Sequence, residues 1–242
     1  MIEKDNGLVL KQIKYNDKSN IVTIFTRNYG KKSFILYGIN SRTRGKVLRG
    51  IVQPLYPVNI IFYHKQNRNL AKIKDISLSI SYTDIPINFN KKAIMIFLSE
   101  VLDNVLLENI EDKDLFDYTI KSLQVFDLSQ NNYGNFHIMY LLGLMRHLGI
   151  EPKNNLSDKN RYFSLKEGVF TDIYDATLTL DSLQSQILSQ LLNKSITEFD
   201  SIKIPRPERN LLLKNLLNYF HFHIDKFKEI KSLEVLEELF EQ

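Results

Sequence analysis

The first eighty residues alternate between apolar and polar positions over short segments that are separated by turn-forming residues. β-Branched and aromatic residues dominate the segments, and glycine, asparagine or aspartate stands between them. The pattern predicts five strands, at residues 7–15, 19–26, 31–39, 57–63 and 71–80. In the second strand Val22 and Ile24 face one way while Ile21 and Phe25 face the other, so both faces are apolar. Five such strands predict an OB-like Greek-key barrel, with an SH3-like barrel as the alternative.

Beyond residue 81 the apolar residues recur at helical spacing instead. Helices are predicted at residues 91–107, with Asn90 as the N-cap, and at residues 114–126, 135–148, 181–192, 205–224 and 232–240. Residues 161–165 and 169–170, joined by a turn at Gly168, predict a small hairpin among them. The fold class is therefore α+β, with a five-stranded OB-fold barrel at residues 1–80. A mainly α-helical domain is predicted at residues 81–242.

Charge is distributed unevenly between these two parts. Residues 1–80 carry 15 Lys/Arg and 4 Asp/Glu, a balance of +11, whereas residues 81–242 carry 17 and 24, a balance of −7. The net charge of +4 therefore conceals a strongly basic N-terminal domain. Such asymmetry within one chain indicates a polyanionic partner for the basic part.

The basic domain also combines its cations with aromatic side chains, as nucleic-acid-binding surfaces do. Cations displace the counterions condensed on phosphates, and exposed aromatic rings stack on bases. Residues 40–49 are polar, basic and predicted to form a loop. The candidate nucleic-acid-binding cations of this domain are Lys11, Lys14, Arg27, Lys31, Lys32, Arg42, Arg44, Lys46, Arg49, Lys65, Arg68, Lys72 and Lys74. The tyrosines interleaved with them are Tyr15, Tyr29, Tyr37, Tyr56 and Tyr63, of which some are expected to pack inside the barrel.

Signatures of catalysis are missing from the sequence. The chain has no cysteine, which excludes disulfides, thiolate nucleophiles and thiolate metal sites. It has no P-loop and no GxGxxG, GxSxG or HExxH motif. His221 and His223 would point apart on a helix, and the acidic residues 108–114 are typical of a solvated turn. We therefore expect a non-enzymatic protein without a cofactor or metal.

Hydropathy points to a protein outside the membrane. No apolar segment approaches the ~20 residues that a membrane-spanning helix requires. The first residues lack the apolar stretch of a secretory signal peptide. We therefore expect a cytoplasmic location.

Short motifs along the chain resemble those of the bacterial RecO recombination mediators. In the barrel the likeness lies in the turn at residues 15–19, Phe25-Thr26, Tyr29-Gly30, and Gly38 before the basic loop. In the helical part it lies in residues 98–102, residues 135–137 with 146–149 and Pro152, and residues 219–223 with 233–236. The likeness covers nearly the whole chain, in order and at the spacing of the family.

This resemblance implies an OB-fold followed by a helical domain, in agreement with the patterns above. It implies binding of single- and double-stranded DNA, annealing of complementary strands, and a nucleoid-associated role in RecFOR-type repair. The family helps a recombinase load onto DNA coated by single-stranded DNA-binding protein. The partners that it implies are RecR and the acidic C-terminal tail of that coating protein. The resemblance places a partner-binding surface on the helical domain at residues 81–242, where Arg146 is the candidate cation for the tail.

One departure from the family concerns zinc. Many relatives hold zinc with four cysteines in a hairpin of the helical domain, but the corresponding residues 161–170 contain none. Zinc is therefore not expected here. Packing of Tyr162, Phe163 and Phe170 is expected to stabilise the hairpin instead.

Charge neutralisation suffices to explain annealing without covalent chemistry. A basic surface that binds two strands reduces the repulsion between their backbones, so that base pairs can nucleate. The alternatives are an OB-fold RNA-binding protein and an adaptor whose barrel binds an acidic protein. A nuclease would additionally require carboxylates that converge on a metal ion, and the sequence offers no such set.

Overall fold

A computed structural model of the chain describes residues 1–63, 70–130 and 133–239. The first part is a closed barrel of β1 (Ile2–Asn16), β2 (Ser19–Thr26), β3 (Gly30–Tyr37), β4 (Pro57–Tyr63) and β5 (Leu70–Leu78). The strands follow the order β1-β2-β3-β5-β4, and β4 pairs with β1 to close the barrel. Only β3 and β5 pair in parallel among these strands. This arrangement confirms the predicted OB-like barrel.

Strand β1 begins at Ile2, five residues before the predicted start. Its first half, from Ile2 to Leu8, pairs with β4, and its second half pairs with β2. Charged and amide side chains in the first half obscured this strand in the sequence. The long β1 thus pairs with both β2 and β4, and these pairings close the barrel.

The segment between β3 and β4 is helical from Arg44 to Ile51 (α1), so the prediction of a loop at residues 40–49 is wrong. Leu48 is buried among the barrel core residues, while the cationic side chains stay outside. A Cβ atom on Gly45 would lie 2.3 Å from the carbonyl oxygen of Ile39. Gly45 therefore lets the helix lie against the end of β3, although a glycine in a polar segment usually indicates a loop.

Apolar side chains on the inner face of the strands fill the barrel. The core includes Val9, Val22, Ile24, Phe34, Leu36, Val58, Ile60, Phe62, Ala71 and Ile73. These positions alternate along each strand with residues on the outer face. The alternation fixes which barrel residues can contact a ligand.

The remaining elements are mainly helical, as predicted. They are α2 (Phe89–Val105), α3 (Lys113–Leu128), α4 (Phe136–His147), α5 (Ser182–Leu192), α6 (Arg206–His223) and α7 (Ser232–Leu239), with the hairpin β6 (Tyr162–Ser164) and β7 (Val169–Thr171). The N-cap of α2 is Asn88 and not the predicted Asn90, because the Asn88 side chain accepts a hydrogen bond from the Lys91 amide. None of the helices described has the length and apolarity needed to cross a membrane.

The chain forms two compact units whose limits differ from the simple division into barrel and helices. The first unit comprises Met1–Lys121 and Ile230–Gln242, and the second comprises Ser122–Glu229. Helix α2 packs on β1, where the Ser99 hydroxyl donates to the Leu10 carbonyl, and α7 packs on α2. The Glu100 carboxylate accepts hydrogen bonds from the Lys231 and Ser232 amides at the start of α7. Helices thus contribute to the same unit as the barrel.

The second unit surrounds α4, whose residues from Phe136 to Leu142 are all buried. This confirms that the third predicted helix is central. In the hairpin, the Phe163 and Phe170 rings contact at 5.1 Å between centroids. The Asn155 side chain accepts from the Phe170 amide at 2.8 Å and donates to the Phe170 carbonyl at 3.0 Å, so that it extends the hairpin as a third strand would.

Candidate nucleic-acid interface

Several predicted cations of the barrel are paired with helices of the same unit. Lys11 on β1 contacts the Asp103 carboxylate of α2 at 2.6 Å. Lys31 on β3 donates to the Asp103 carbonyl at 2.6 Å and lies 3.6 Å from its carboxylate, with only 13% of the side chain exposed. Asp103 therefore neutralises the cations of two strands and fixes α2 on the barrel.

Arg27 makes a similar link to α3. Its guanidinium donates two parallel hydrogen bonds to Asp117, Nε to Oδ1 at 2.9 Å and Nη2 to Oδ2 at 2.8 Å. These bonds raise the pKa of Arg27 and lower the pKa of the Asp117 carboxyl. Lys32 is buried, and its ammonium lies 3.4 Å from the Asn109 side-chain oxygen. Arg27 and Lys32 are thus occupied within the first unit.

A second group of predicted cations is exposed on and before α1. Arg42, Arg44 and Lys46 form no ion pair with any described residue. Arg49 is also exposed, but it donates to the Ile39 carbonyl at 2.8 Å and so also holds α1 in place. Arg42, just before α1, and Arg44 and Lys46 on α1 are therefore three exposed cations that no described carboxylate neutralises.

The outer faces of the strands carry further cations. Lys72 and Lys74 of β5 are exposed, and Lys14 of β1 contacts Asp17 at 3.0 Å with most of its side chain in solvent. Lys65 and Arg68, also predicted as DNA contacts, lie outside the described residues. Lys18 was not among the predicted cations, although it is exposed in the turn between β1 and β2. Lys18 could have been identified from the sequence as a candidate cation, because it lies in a predicted turn at one end of the barrel.

The structure separates the five barrel tyrosines into two kinds. Tyr29 packs edge-on against Phe62 at 5.5 Å between centroids, and Tyr56 packs against Tyr82 at the same distance. Tyr15, Tyr37 and Tyr63 are exposed by 56%, 45% and 39%, respectively. The expectation that some of these rings pack in the barrel is therefore confirmed, and three rings remain accessible.

The candidate partner-binding and metal positions lie elsewhere in the chain. Arg146 near the end of α4 is exposed and donates to the Glu151 carboxylate at 2.7 Å. His223 contacts the Leu165 carbonyl at 3.0 Å, and the His221 ring packs edge-on against Phe227. Asp112 accepts a hydrogen bond from the Leu115 amide at the start of α3. Within the described ranges no group of three or more His, Asp or Glu residues is arranged to hold a metal ion.

Comparison with known proteins gives matches over the whole chain. Residues 1–82 match the family model "Recombination protein O N terminal", and residues 88–234 match "Recombination protein O C terminal". The chain is 30% identical over 242 residues to a protein of Azobacteroides pseudotrichonymphae, covering all of both chains. It is 32% identical over 247 residues to one of Bacteroides fragilis, again over the full length of both. Each of these relatives bears the name DNA repair protein RecO.

Proposed function

Because this chain belongs to the RecO family of DNA repair proteins, we propose that its barrel binds DNA and promotes the annealing of complementary strands. The observation that supports this most is the set of unneutralised cations around α1, namely Arg42, Arg44 and Lys46. They lie close together in sequence, with Arg42 just before α1 and Arg44 and Lys46 on it, while carboxylates of the same unit neutralise Lys11 and Arg27. The proposed contact surface therefore includes only some of the basic residues that lie between residues 1 and 80.

The proposed mechanism is electrostatic. Cations on a rigid barrel replace the counterions of two DNA backbones, which reduces their mutual repulsion. Two strands held on one protein also meet at a high effective concentration, so that the first base pairs form faster. Lys14, Lys18, Lys72 and Lys74 extend the cationic surface beyond α1.

The proposed cellular role is mediation of recombinational repair in the cytoplasm, at the nucleoid. The protein would act on single strands coated by single-stranded DNA-binding protein and help a recombinase to load. RecR and the acidic tail of the coating protein are the proposed partners, and Arg146 in the second unit is the proposed contact for the tail. Exchange of Glu151 for Ala would release Arg146 from its present ion pair and should strengthen binding of that tail.

The test of DNA binding replaces Arg42, Arg44 and Lys46 together by Ala. Binding of labelled single-stranded and duplex DNA is measured from low to moderate salt, alongside the annealing rate of complementary strands. We expect weaker binding and slower annealing. The slope of log affinity against log salt should be smaller by about 2 for single strands and about 3 for duplex, because three phosphate contacts are lost.

The matched control replaces Lys159, Lys166 and Lys203, three exposed lysines of the second unit, by Ala. This variant has the same net charge as the α1 variant. Unchanged affinity and salt slope in the α1 variant, or equal losses in both variants, would refute the proposed surface. Preference for RNA over DNA would support an RNA-binding protein, and failure to bind either would support an adaptor.

A further inference from the structure

Thr43 stands at the start of α1 with a hydroxyl group that the fold does not use. The residue occupies the N-cap position of the helix and is exposed, but its side chain forms no capping hydrogen bond. Ser41 takes that role, because its hydroxyl accepts a hydrogen bond from the Gly45 amide at 3.0 Å and donates to the Gly38 carbonyl at 2.8 Å. A chemical change at the Thr43 hydroxyl therefore breaks no capping bond of α1.

The side chains next to this hydroxyl along the chain are positively charged. Arg42 and Arg44 flank Thr43 in sequence, and Lys46 is the third residue of α1. The first turn of the helix contains no acidic residue. Positive side chains at a helix N-terminus repel the partial positive charge of the free amides, whereas an anion at the same place is favourable. The start of α1 is therefore a place where a negative charge would be stabilised.

The spacing of Thr43 and Lys46 brings their side chains to the same turn of the helix. In a capping box, the N-cap residue and the residue three positions later interact across the first turn. Thr43 and Lys46 hold these two positions, so a negative group on the Thr43 oxygen would lie within reach of the Lys46 ammonium. The amides of Gly45 and Lys46 already have acceptors. The ion pairs of such a group would therefore be made by side chains, with the guanidinium groups of Arg42 and Arg44 next to it in sequence.

The same segment is accessible to a modifying enzyme. Residues 38–43 form turns and bends without regular structure, and residues 40–44 are all exposed. Protein kinases select their substrates in part by charge. The arginine on each side of Thr43 gives the segment a charge pattern that suits an acidic substrate groove. Exposure and charge together therefore fit the requirements of a kinase substrate.

We propose that Thr43 is a phosphorylation site and that its phosphate switches off DNA binding by the α1 cations. The phosphoryl donor is a nucleoside triphosphate bound to a protein kinase. The Thr43 oxygen attacks the γ-phosphorus, the bond between that phosphorus and the bridging oxygen breaks, and the nucleoside diphosphate leaves. A carboxylate base of the kinase accepts the hydroxyl proton. Hydrolysis of the phosphate ester restores the original side chain.

This inference rests on the proposed function, because it concerns the cations that are proposed to bind DNA. Phosphothreonine carries a charge of about −1.5 to −2 at pH 7, which offsets most of the charge of Arg42, Arg44 and Lys46. These side chains then pair with a phosphate of the protein instead of the phosphates of DNA. The other barrel cations keep their charge, so that DNA binding weakens while the fold remains.

The first test compares the unmodified full chain with a full chain that has phosphothreonine incorporated at position 43. The control of equal charge carries phosphothreonine in place of Ser201, which is exposed in the second unit. We expect the phosphate at position 43 to weaken single-strand binding about 10-fold at moderate salt. The slope of log affinity against log salt should fall by about 1.4 for single strands and about 1.8 for duplex, because two phosphate contacts are lost. The control should bind DNA like the unmodified chain.

A second test shows whether the phosphate acts through the neighbouring cations. The second pKa of a solvated phosphothreonine is about 6, and ion pairs with Arg42, Arg44 and Lys46 should lower it in a phosphorus NMR titration. Exchange of these three residues for Ala should restore the ordinary pKa. In that variant the phosphate should also cause no further decrease of the salt slope, because the cations that it neutralises are gone. An ordinary pKa in the otherwise unchanged chain would contradict the ion pairs and overturn the inference.

A third test asks whether cells make the modification. Mass spectrometry of the intact protein from its own cells, before and after DNA damage, should detect chains with one phosphate, which fragmentation locates at Thr43. Thr43→Val should lack this phosphate and should bind DNA like the wild type, because the hydroxyl makes no capping bond.

The outcomes separate this inference from the proposed function. Absence of phosphate at Thr43 under both conditions would overturn the inference while DNA binding stood. Equal DNA affinity with and without phosphate at position 43, or an equal loss of affinity in the Ser201 control, would do the same. Failure of the unmodified chain to bind DNA would overturn the proposed function itself.

Discussion

Burial keeps the imidazole of His137 neutral in the second unit. The side chain is 2% exposed, and its burial, together with the nearby charge of Arg209, lowers the pKa of His137 to about 3. An unfolded chain protonates this residue near its ordinary pKa of about 6.5. Between these two values the unfolded state binds a proton that the folded state excludes. The resulting stability is present above pH 6.5 and is lost as pH falls towards 3.

We therefore expect the free energy of unfolding to decrease below pH 6.5 by up to about 1.4 kcal/mol per pH unit on account of His137. Urea denaturation at intervals between pH 7.5 and 5 measures this slope before most carboxylates titrate. In His137→Gln the free energy of unfolding should depend less steeply on pH, because unfolding takes up about one proton fewer in this interval. Identical slopes in the two proteins would contradict a neutral, buried imidazole.

Individual side chains show the limit of what the sequence could predict at this scale. The alternation in β2 correctly placed Val22 and Ile24 on one side of the strand and Phe25 on the other. It could not show that Tyr29 and Tyr56 pack on other rings while Tyr37 is exposed, because that depends on which strands pair. The bonds from Arg27 to Asp117 and from Lys11 to Asp103 join residues about 90 positions apart, and a local pattern carries no information on them.

At the scale of elements, the hairpin β6–β7 is held without cysteine. The Asn155 side chain satisfies both backbone groups of Phe170, and the Ser185 hydroxyl accepts a hydrogen bond from the Phe163 amide at 2.9 Å. The two phenylalanine rings contact each other beneath the strands. Hydrogen bonds from neighbouring segments and ring packing thus support this hairpin. The family resemblance implied that many relatives hold the corresponding hairpin with a metal ion.

Asn155→Ala should destabilise the protein by about 1–3 kcal/mol, because two buried backbone groups of Phe170 lose their partner. Denaturation in urea measures the change. Asn160→Ala is the matched control, since that side chain makes no hydrogen bond to a described residue. A chelator should leave the thermal transition unchanged in all three proteins. Equal stability of the two variants would show that Asn155 does not support the hairpin.

Helix α1 shows why one element escaped prediction. Its eight residues include Gly45, Gly50 and three cations, and its N-cap residue Thr43 makes no side-chain cap; the Ser41 hydroxyl, from outside the helix, accepts the hydrogen bond of the Gly45 amide instead. Local propensity therefore favours a loop. Burial of Leu48 in the barrel core and the close approach of Gly45 to Ile39 stabilise the helix. Both are tertiary contacts, which a local pattern does not show. The longer helices α2 and α4 can be predicted from the apolar residues within their own sequences.

At the scale of the whole molecule, the first unit is completed by a segment that is distant in sequence. Helix α7 packs on α2, and Leu236 is buried to 1% exposure. The barrel itself was predictable from its strands. The packing of α7 in this unit was not, because the apolar positions of α7 do not specify which helix they contact.

Leu236→Ala should destabilise the first unit by about 3 kcal/mol through the cavity that it leaves. Val235→Ala, at a 52% exposed neighbour on the same helix, should change stability by less than about 0.5 kcal/mol. Both can be measured by urea denaturation of a chain that carries Tyr37→Trp, because the natural chain has no tryptophan and position 37 lies in the first unit. Similar midpoints for the two variants would contradict the contribution of α7 to that unit.

The packing of α7 on α2 also determines the order in which parts of the chain can fold during synthesis. Residues of the barrel leave the ribosome more than 100 residues before Ile230. The surface of α2 that α7 later covers therefore stays open while the second unit is being made, and Ser122–Glu229 can fold first as a continuous stretch. The nascent barrel must remain free of aggregation over that interval, and its dense positive charge, which repels like chains, helps to keep it so.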